Sequence, residues 1–552
     1  MRNFIVSDDL TAPLIDGYQQ VKTNSQLLQF NGLKLLVQGE RVLIFGDIGA
    51  VDTAWLSRLP AMAEPELFQN LYQICGAFLL IFHHLDTNET KVVADRNGHY
   101  KLFYAAREHG FLLSDDLTQF DTDHVSRTAL SEYFHYRWNN TKFSYFEDIQ
   151  QIFYGDYVII YENEITRRVK YNAIFWGDSF VTKAPRSDLK ALLLAALDKN
   201  INRQLPTYVL LSGGVDSAIL LALTKELVPD LIAITPNHHQ HANPELERAI
   251  NFARAVDVPH QILDIDDTEI RQLFEDTTVC MQQVPRNQSS LTMYSTLSSI
   301  PSPANIIYGE AADILFGSTA AKNFKARLAK IKKKDKLPAL LQRVLIKLLP
   351  ESHKFSLLLK DEILNSLLGN NKIDNPADFE QCLSVSDFNL VRQDFFRRYS
   401  LSKVELENLS DKQLIALFKQ WLMDTAVYNH MYETGQIAAQ FEHTLVTPFL
   451  DASLINYALQ LSGDEYFGSS HVKPLLRELG AQYYHREWMY LPKLGFPVPH
   501  ESWLANELKD LVAEARDNFG VQSLPVDIEL SWTLAGLYVL KSKLQLPLNG
   551  LQ

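Results

Sequence analysis

The stretch "VLLSGGVDSAILLAL", Val209 to Leu223, constrains this chain more than any other. A short apolar run ends in two glycines, and small and apolar residues at helical spacing follow at once. That order predicts a buried strand, a tight turn and a helix start. A helix that opens straight after a strand leaves its first backbone N–H groups without intrahelical partners, pointing where an anion can sit. Gly213 and Gly214 permit the tight path and the close approach of phosphate, while Ser212 and Ser217 add hydroxyl donors. Asp216 would repel bare phosphate. It makes sense as a ligand that meets phosphate through Mg2+, which is commonly held by one or two carboxylates plus phosphate oxygens.

The surrounding chain reads as two unlike halves. From about Gln29 to Tyr171, short runs such as "LKLLVQG", "RVLIFGD", "GAFLLIFHH", "TKVVADRNG" and "GDYVIIYENE" alternate with Gly, Asn and Asp breaks, predicting a mainly antiparallel β structure. After it come an amphipathic stretch over Leu189–Leu205, the glycine-turn unit, a strand "LIAITP", a helix from about Pro244 to Val256 and a strand "ANIIYGE". This alternation predicts a parallel sheet with helical crossovers. Residues 320–438 are almost all helical in pattern. The fold class is therefore mixed, α/β and α+β, with domains over 1–178 and 188–552 and a boundary near 178–188.

Composition sets bounds on function. A 46% apolar and 21% charged chain of 552 residues suits a soluble multi-domain protein, and a net charge of -14 argues against a general nucleic-acid surface. Cys75, Cys280 and Cys382 are isolated, which implies neither a disulfide framework nor a zinc site and makes the cytoplasm the expected setting. "MRNFIVSDDL" has no signal-peptide core, and no stretch is long and apolar enough to span a bilayer.

The glycine turn is not "GxxxxGK[ST]", so it is not a Walker phosphate loop. It resembles the pyrophosphate loop of the ATP pyrophosphatases, which cleave ATP between its α and β phosphates. A second segment, "IIYGEAADILFGS", resembles the "GEGADELFGG" segment of the asparagine synthetase B family. The resemblance implies that Asp313 helps hold Mg2+ opposite Asp216, and that Glu310 faces an acyl-adenylate and the incoming amine. Two departures stand out: Ala311 replaces a glycine and Ile314 replaces a glutamate. "VTPFLDASLINYALQL" and "LPKLGFPVPHESWL" resemble two further family segments, and the second makes Lys493 the lysine that stabilises charge on the reacting phosphate. By the same matching Leu211, Ile234, Tyr308 and Gly309 fall where the family encloses ATP, although Leu211 and Ile234 fit plain strand core equally well.

The first half resembles the family's glutamine-hydrolysing, Ntn-hydrolase-like domain through "CGAFLLIFHHLDTNETKVVADRNGHYKLFYA", "FLLSDDL" and "FEDIQQIFYGDYVIIY". Glutamine hydrolysis in that family needs a cysteine directly after the initiator methionine, where this chain has Arg2, so a degenerate glutaminase domain is expected. The relatives that have lost that activity, β-lactam synthetase, carbapenam synthetase and the lasso-peptide cyclases, use an amine of the substrate itself. The resemblance thus implies an ATP- and Mg2+-dependent amide synthetase joining a carboxylate to the amine of a metabolite or peptide. Ammonia-dependent asparagine formation and a non-catalytic nucleotide-binding scaffold are the alternatives. The basic run within 322–347 reads either as a solvated helix face or as a docking surface for a peptide or carrier protein.

Overall fold

Among the described residues of the first half, twelve short strands pair antiparallel into two six-stranded sheets. One runs Gln150–Ile152, Leu102–Arg107, Gly110–Ser114, Asn3–Ser7, Leu27–Asn31, Gln19–Lys22; the other runs Glu164–Lys170, Asp156–Tyr161, Thr90–Ala94, Leu79–His84, Arg41–Phe45, Lys34–Gln38. Alternate side chains decide how they stack. Phe4, Val6, Leu28 and Phe30 of the first sheet meet Ile44, Ile81, Val92 and Val158 of the second in one core. Leu80 and Phe82 point the other way, onto Leu67 and Leu71 of the helix Glu64–Gln73. Leu79–His84 is thus covered on both faces, which is why its sequence is a continuous apolar run rather than an alternating one. The expected antiparallel sandwich is present.

The computed structural model describes residues 3–122 apart from short stretches, part of 124–130, 144–171, 188–334 apart from 239 and 242, isolated positions between 338 and 399, and 401–546 apart from 469–470, 493–497 and 523–527. The expected boundary near 178–188 and much of the helical stretch 320–438 lie outside these residues.

The second half carries a five-stranded parallel sheet in the order His260–Ile265, Ile232–His238, Thr207–Leu210, Asn305–Ile307, Thr444–Val446. The first three strands step outward in one direction, and the chain then returns to the other side of Thr207–Leu210. That reversal opens a crevice at the carboxyl ends of Thr207–Leu210 and Asn305–Ile307, the place where open α/β sheets hold ligands. Both sequence motifs follow these two strands. The outer strands were not legible beforehand: His260–Ile265 is largely exposed at the sheet edge, and Thr444–Val446 is only three residues long. The helix expected over Leu189–Leu205 ends at Asn200, because Ile201 turns extended.

The halves share their packing. Tyr72, Phe153 and Tyr154 join Val427, Tyr428 and Met431 in one core. The Leu117 N–H donates to Gln282 Oε1 at 2.7 Å, and Gln436 Nε2 donates to the His99 carbonyl at 2.7 Å. The described part of the basic run is the helix Thr319–Lys334, which buries Ala321, Phe324, Leu328 and Ile331 and turns Lys325, Lys330 and Lys333 to solvent. Among the described residues no helix is long and apolar enough to cross a membrane.

Candidate active site

The crevice is built first by the glycine turn. Thr207–Leu210 ends, and the Leu211 N–H still donates to the Ile234 carbonyl at 2.9 Å. Gly213 then takes φ +79°, and the helix Val215–Leu227 starts from Gly214 with no side chain capping it. A Cβ on Gly213 would lie 2.4 Å from the Glu245 carbonyl oxygen, so both the dihedral and the space require glycine. Ser212 and Ser217 are wired to the turn itself: their hydroxyls are 3.1 Å apart, and the Ser217 hydroxyl donates to the Gly214 carbonyl at 3.2 Å. The result is a helix start with no capping side chain at Gly214, whose own N–H donates to the Ser212 hydroxyl at 3.4 Å.

The second wall is the loop after Asn305–Ile307. The Tyr308 N–H donates to the Val446 carbonyl at 2.9 Å, Gly309 packs on helix Val215–Leu227 near Asp216 and Leu220, and Ala311 opens the short helix Ala312–Phe316 at φ +74°. That left-handed dihedral explains why a glycine is usual at this position, and Ala311 carries the strain of a Cβ there.

Between the walls sits a residue that sequence reading missed. Lys473 Nζ lies 2.5 Å from Asp216 Oδ2 and 2.6 Å from Asp313 Oδ1, on a side chain only 6% exposed. Lys473 caps the helix Pro474–Gly480 in the left-handed region, φ 62°, and is pressed against Gly317, where a Cβ would lie 2.6 Å from the Lys473 nitrogen. Two carboxylates from different elements thus converge on one positive charge. Two carboxylates are the protein share of a Mg2+ site completed by phosphate and water oxygens, so the donor chemistry fits the ion, and Asp216 and Asp313 would be the residues to hold it. In "HVKPLLRELG" the only local signal was a lysine before a proline at a helix start.

Glu310 belongs to a separate cluster at the same mouth. Tyr308 donates its hydroxyl to Glu310 Oε2 at 2.9 Å, and His430 Nδ1 stands 3.6 Å from the same oxygen. Burial alone would raise the Glu310 carboxyl; the hydrogen bond and charge of His430, with the Tyr308 hydroxyl, outweigh it and leave it below the usual carboxylate range. Burial would lower His430, but Glu310, and then Glu433, hold it above its ordinary value. A glutamate so tuned is a poor lone base. His430 lies on the helix Tyr428–Gln440, entered through the π-turn Met423–Val427. The carbonyls there find side-chain donors: Asn429 Nδ2 reaches the Thr425 oxygen at 2.9 Å, and the Tyr154 hydroxyl, from the first half, reaches that of Asp424. The first half of the chain therefore helps fix the helix that carries His430.

Of the sequence-predicted residues, Ser212, Gly213, Gly214, Asp216, Ser217, Tyr308, Gly309, Glu310 and Asp313 all line the ends of the two switch strands. Leu211 and Ile234 are 1% and 0% exposed, with their side chains in the sheet core. Lys493 lies outside the described residues.

Residues 188–525 match the model of the asparagine synthase family. The chain belongs to that family. Among its curated relatives, asparagine synthetase [glutamine-hydrolyzing] 1 of Bacillus subtilis (strain 168) is 21% identical over 332 residues, which cover 59% of this chain and 51% of the relative. The putative asparagine synthetases [glutamine-hydrolyzing] of Mycobacterium bovis (strain ATCC BAA-935 / AF2122/97) and Mycobacterium tuberculosis (strain CDC 1551 / Oshkosh) are each 23% identical over 338 residues, 59% of this chain and 50% of theirs. This asparagine synthase family member thus spans about half the length of the curated relatives it matches.

Proposed function

We propose that the chain is an ATP-dependent, AMP-forming amide synthetase that adenylates a carboxylate and couples it to the amine of a metabolite or peptide, in the manner of β-lactam synthetase or the lasso cyclases. The observation that carries this reading is the convergence of Asp216 and Asp313 on one cation, 2.5 and 2.6 Å from Lys473 Nζ, beside an uncapped helix start. Mg2+ bound by these two carboxylates would neutralise pyrophosphate as it leaves. The helix-start N–H groups, the Ser212 and Ser217 hydroxyls and Lys473 would hold phosphate oxygens, and by resemblance Lys493 would join them. Donors fixed in advance act on developing charge without reorganising, and such preorganisation is commonly the main source of an enzyme's rate acceleration. In the first step the substrate carboxylate attacks the α-phosphorus and pyrophosphate leaves; in the second an amine displaces AMP.

The names of the relatives, together with Glu310, favour a second reading, asparagine formation from aspartate and ammonia. Release of pyrophosphate and AMP from ATP and Mg2+ across a panel of acids and amines, with Asp216→Ala as control, separates the two. Release with aspartate plus ammonia selects asparagine formation; release only with an amine-bearing metabolite or peptide selects the first reading. ATP binding without any release overturns both.

A further inference from the structure

We propose that His430 is the catalytic residue that takes the amine's proton during amide formation, with Glu310 as the carboxylate that orients its imidazole. The proposal rests on the ligase reading and concerns its second step. Its ground is geometric. His430 Nδ1 faces Glu310 Oε2 at 3.6 Å, the Tyr308 hydroxyl fixes that same oxygen at 2.9 Å, and the imidazole is 25% exposed while Glu310 is 17% exposed. Behind it Glu433 is anchored by the Arg286 N–H at 2.8 Å and by the Ser290 hydroxyl. A carboxylate beside one ring nitrogen of a histidine orients the imidazole and stabilises the protonated form that accepting a proton creates. Separations of this size commonly tighten once substrate binds.

The chemistry assigns the roles. As the amine nitrogen bonds to the acyl carbon, the bond from that carbon to the AMP oxygen breaks, its electron pair leaves on AMP, and an N–H proton passes to His430. Glu310, from the strand loop, stands against His430, and Glu310 and then Glu433 on its own helix lift its basicity above that of an ordinary imidazole. Glu310, held low, serves that end rather than acting as the base itself.

The test uses the full chain and the acid that supports pyrophosphate release in the panel above. ATP–pyrophosphate exchange reads the first step, and product formation reads the second, with either the accepted amine or hydroxylamine, which is uncharged at neutral pH and needs little help from a base. His430→Gln is expected to cost about 10²–10⁴-fold with the amine, and far less in exchange and in hydroxamate formation. In the wild type the amide rate climbs with pH through the raised His430 value; in Glu310→Gln that limb moves to lower pH, because the carboxylate that stabilises the imidazolium is gone. Equal losses in all three assays, no loss with the amine, or an unmoved limb in Glu310→Gln overturns the proposal. No exchange by the wild type with any acid sinks the ligase reading itself, and this proposal with it.

Discussion

Replacing Lys473 by methionine tests whether Asp216 and Asp313 form one cation site. The substitution keeps the apolar stem and removes the ammonium that lies 2.5 and 2.6 Å from the two carboxylates. Removing one partner of a buried ion pair costs about 3–5 kcal/mol. Asp313 is 46% exposed and Asp216 17%, so water relieves part of the repulsion and about 2–3 kcal/mol is the expected loss. That loss should be seen in urea unfolding with EDTA present. Mg2+ in excess should then restore it: a ligand that binds only the folded state at about 100 times its Kd returns about 2.7 kcal/mol. The wild type, whose own ammonium fills the position, should gain much less from Mg2+ without nucleotide. A Lys473→Met protein as stable as wild type in EDTA, or one indifferent to Mg2+, would refute the idea that the two carboxylates share a cation.

Three further outcomes follow from single residues. Gly213→Ala should destabilise by about 2–4 kcal/mol, from the left-handed dihedral and a forced shift of the turn, and calorimetry should show ATP affinity falling in step; unchanged stability would contradict the 2.4 Å approach to Glu245. Ala311→Gly should instead stabilise by about 1 kcal/mol by relieving φ +74°, read as a higher urea midpoint; a lower midpoint would mean that the methyl packs usefully. Burial, aided by His84, pulls His83 down to about 4, and burial, against the pull of Asp267, does the same to His238. The unfolded chain therefore binds protons below pH 6.5 that the folded chain refuses until about pH 4. Stability should fall across that window by up to about 3 kcal/mol per histidine, and His83→Gln with His238→Gln should flatten the slope.

What the sequence determined by itself is local. Strand, glycine turn and helix over Thr207–Leu227 are set by residues adjacent in the chain, so the turn was legible with its serines and Asp216, and the same holds for the placing of Glu310 and Asp313 after Asn305–Ile307. Tertiary structure alone decided which distant charges meet. Lys473 reaches Asp216 across 257 positions, and nothing in "HVKPLL" distinguishes it from a surface lysine. His430 reads as one polar residue on a helix, and its pairing with Glu310 depends on how that helix seats against the strand loop, with Tyr154 of the other half bonded at its π-turn. Leu211 and Ile234 show the converse: apolar residues at a motif's edge are sheet core first, because burying them stabilises the strands that aim the loop. Backbone geometry is dictated by neighbours in sequence, whereas Coulomb interactions depend only on distance in space, and only the folded chain fixes those distances.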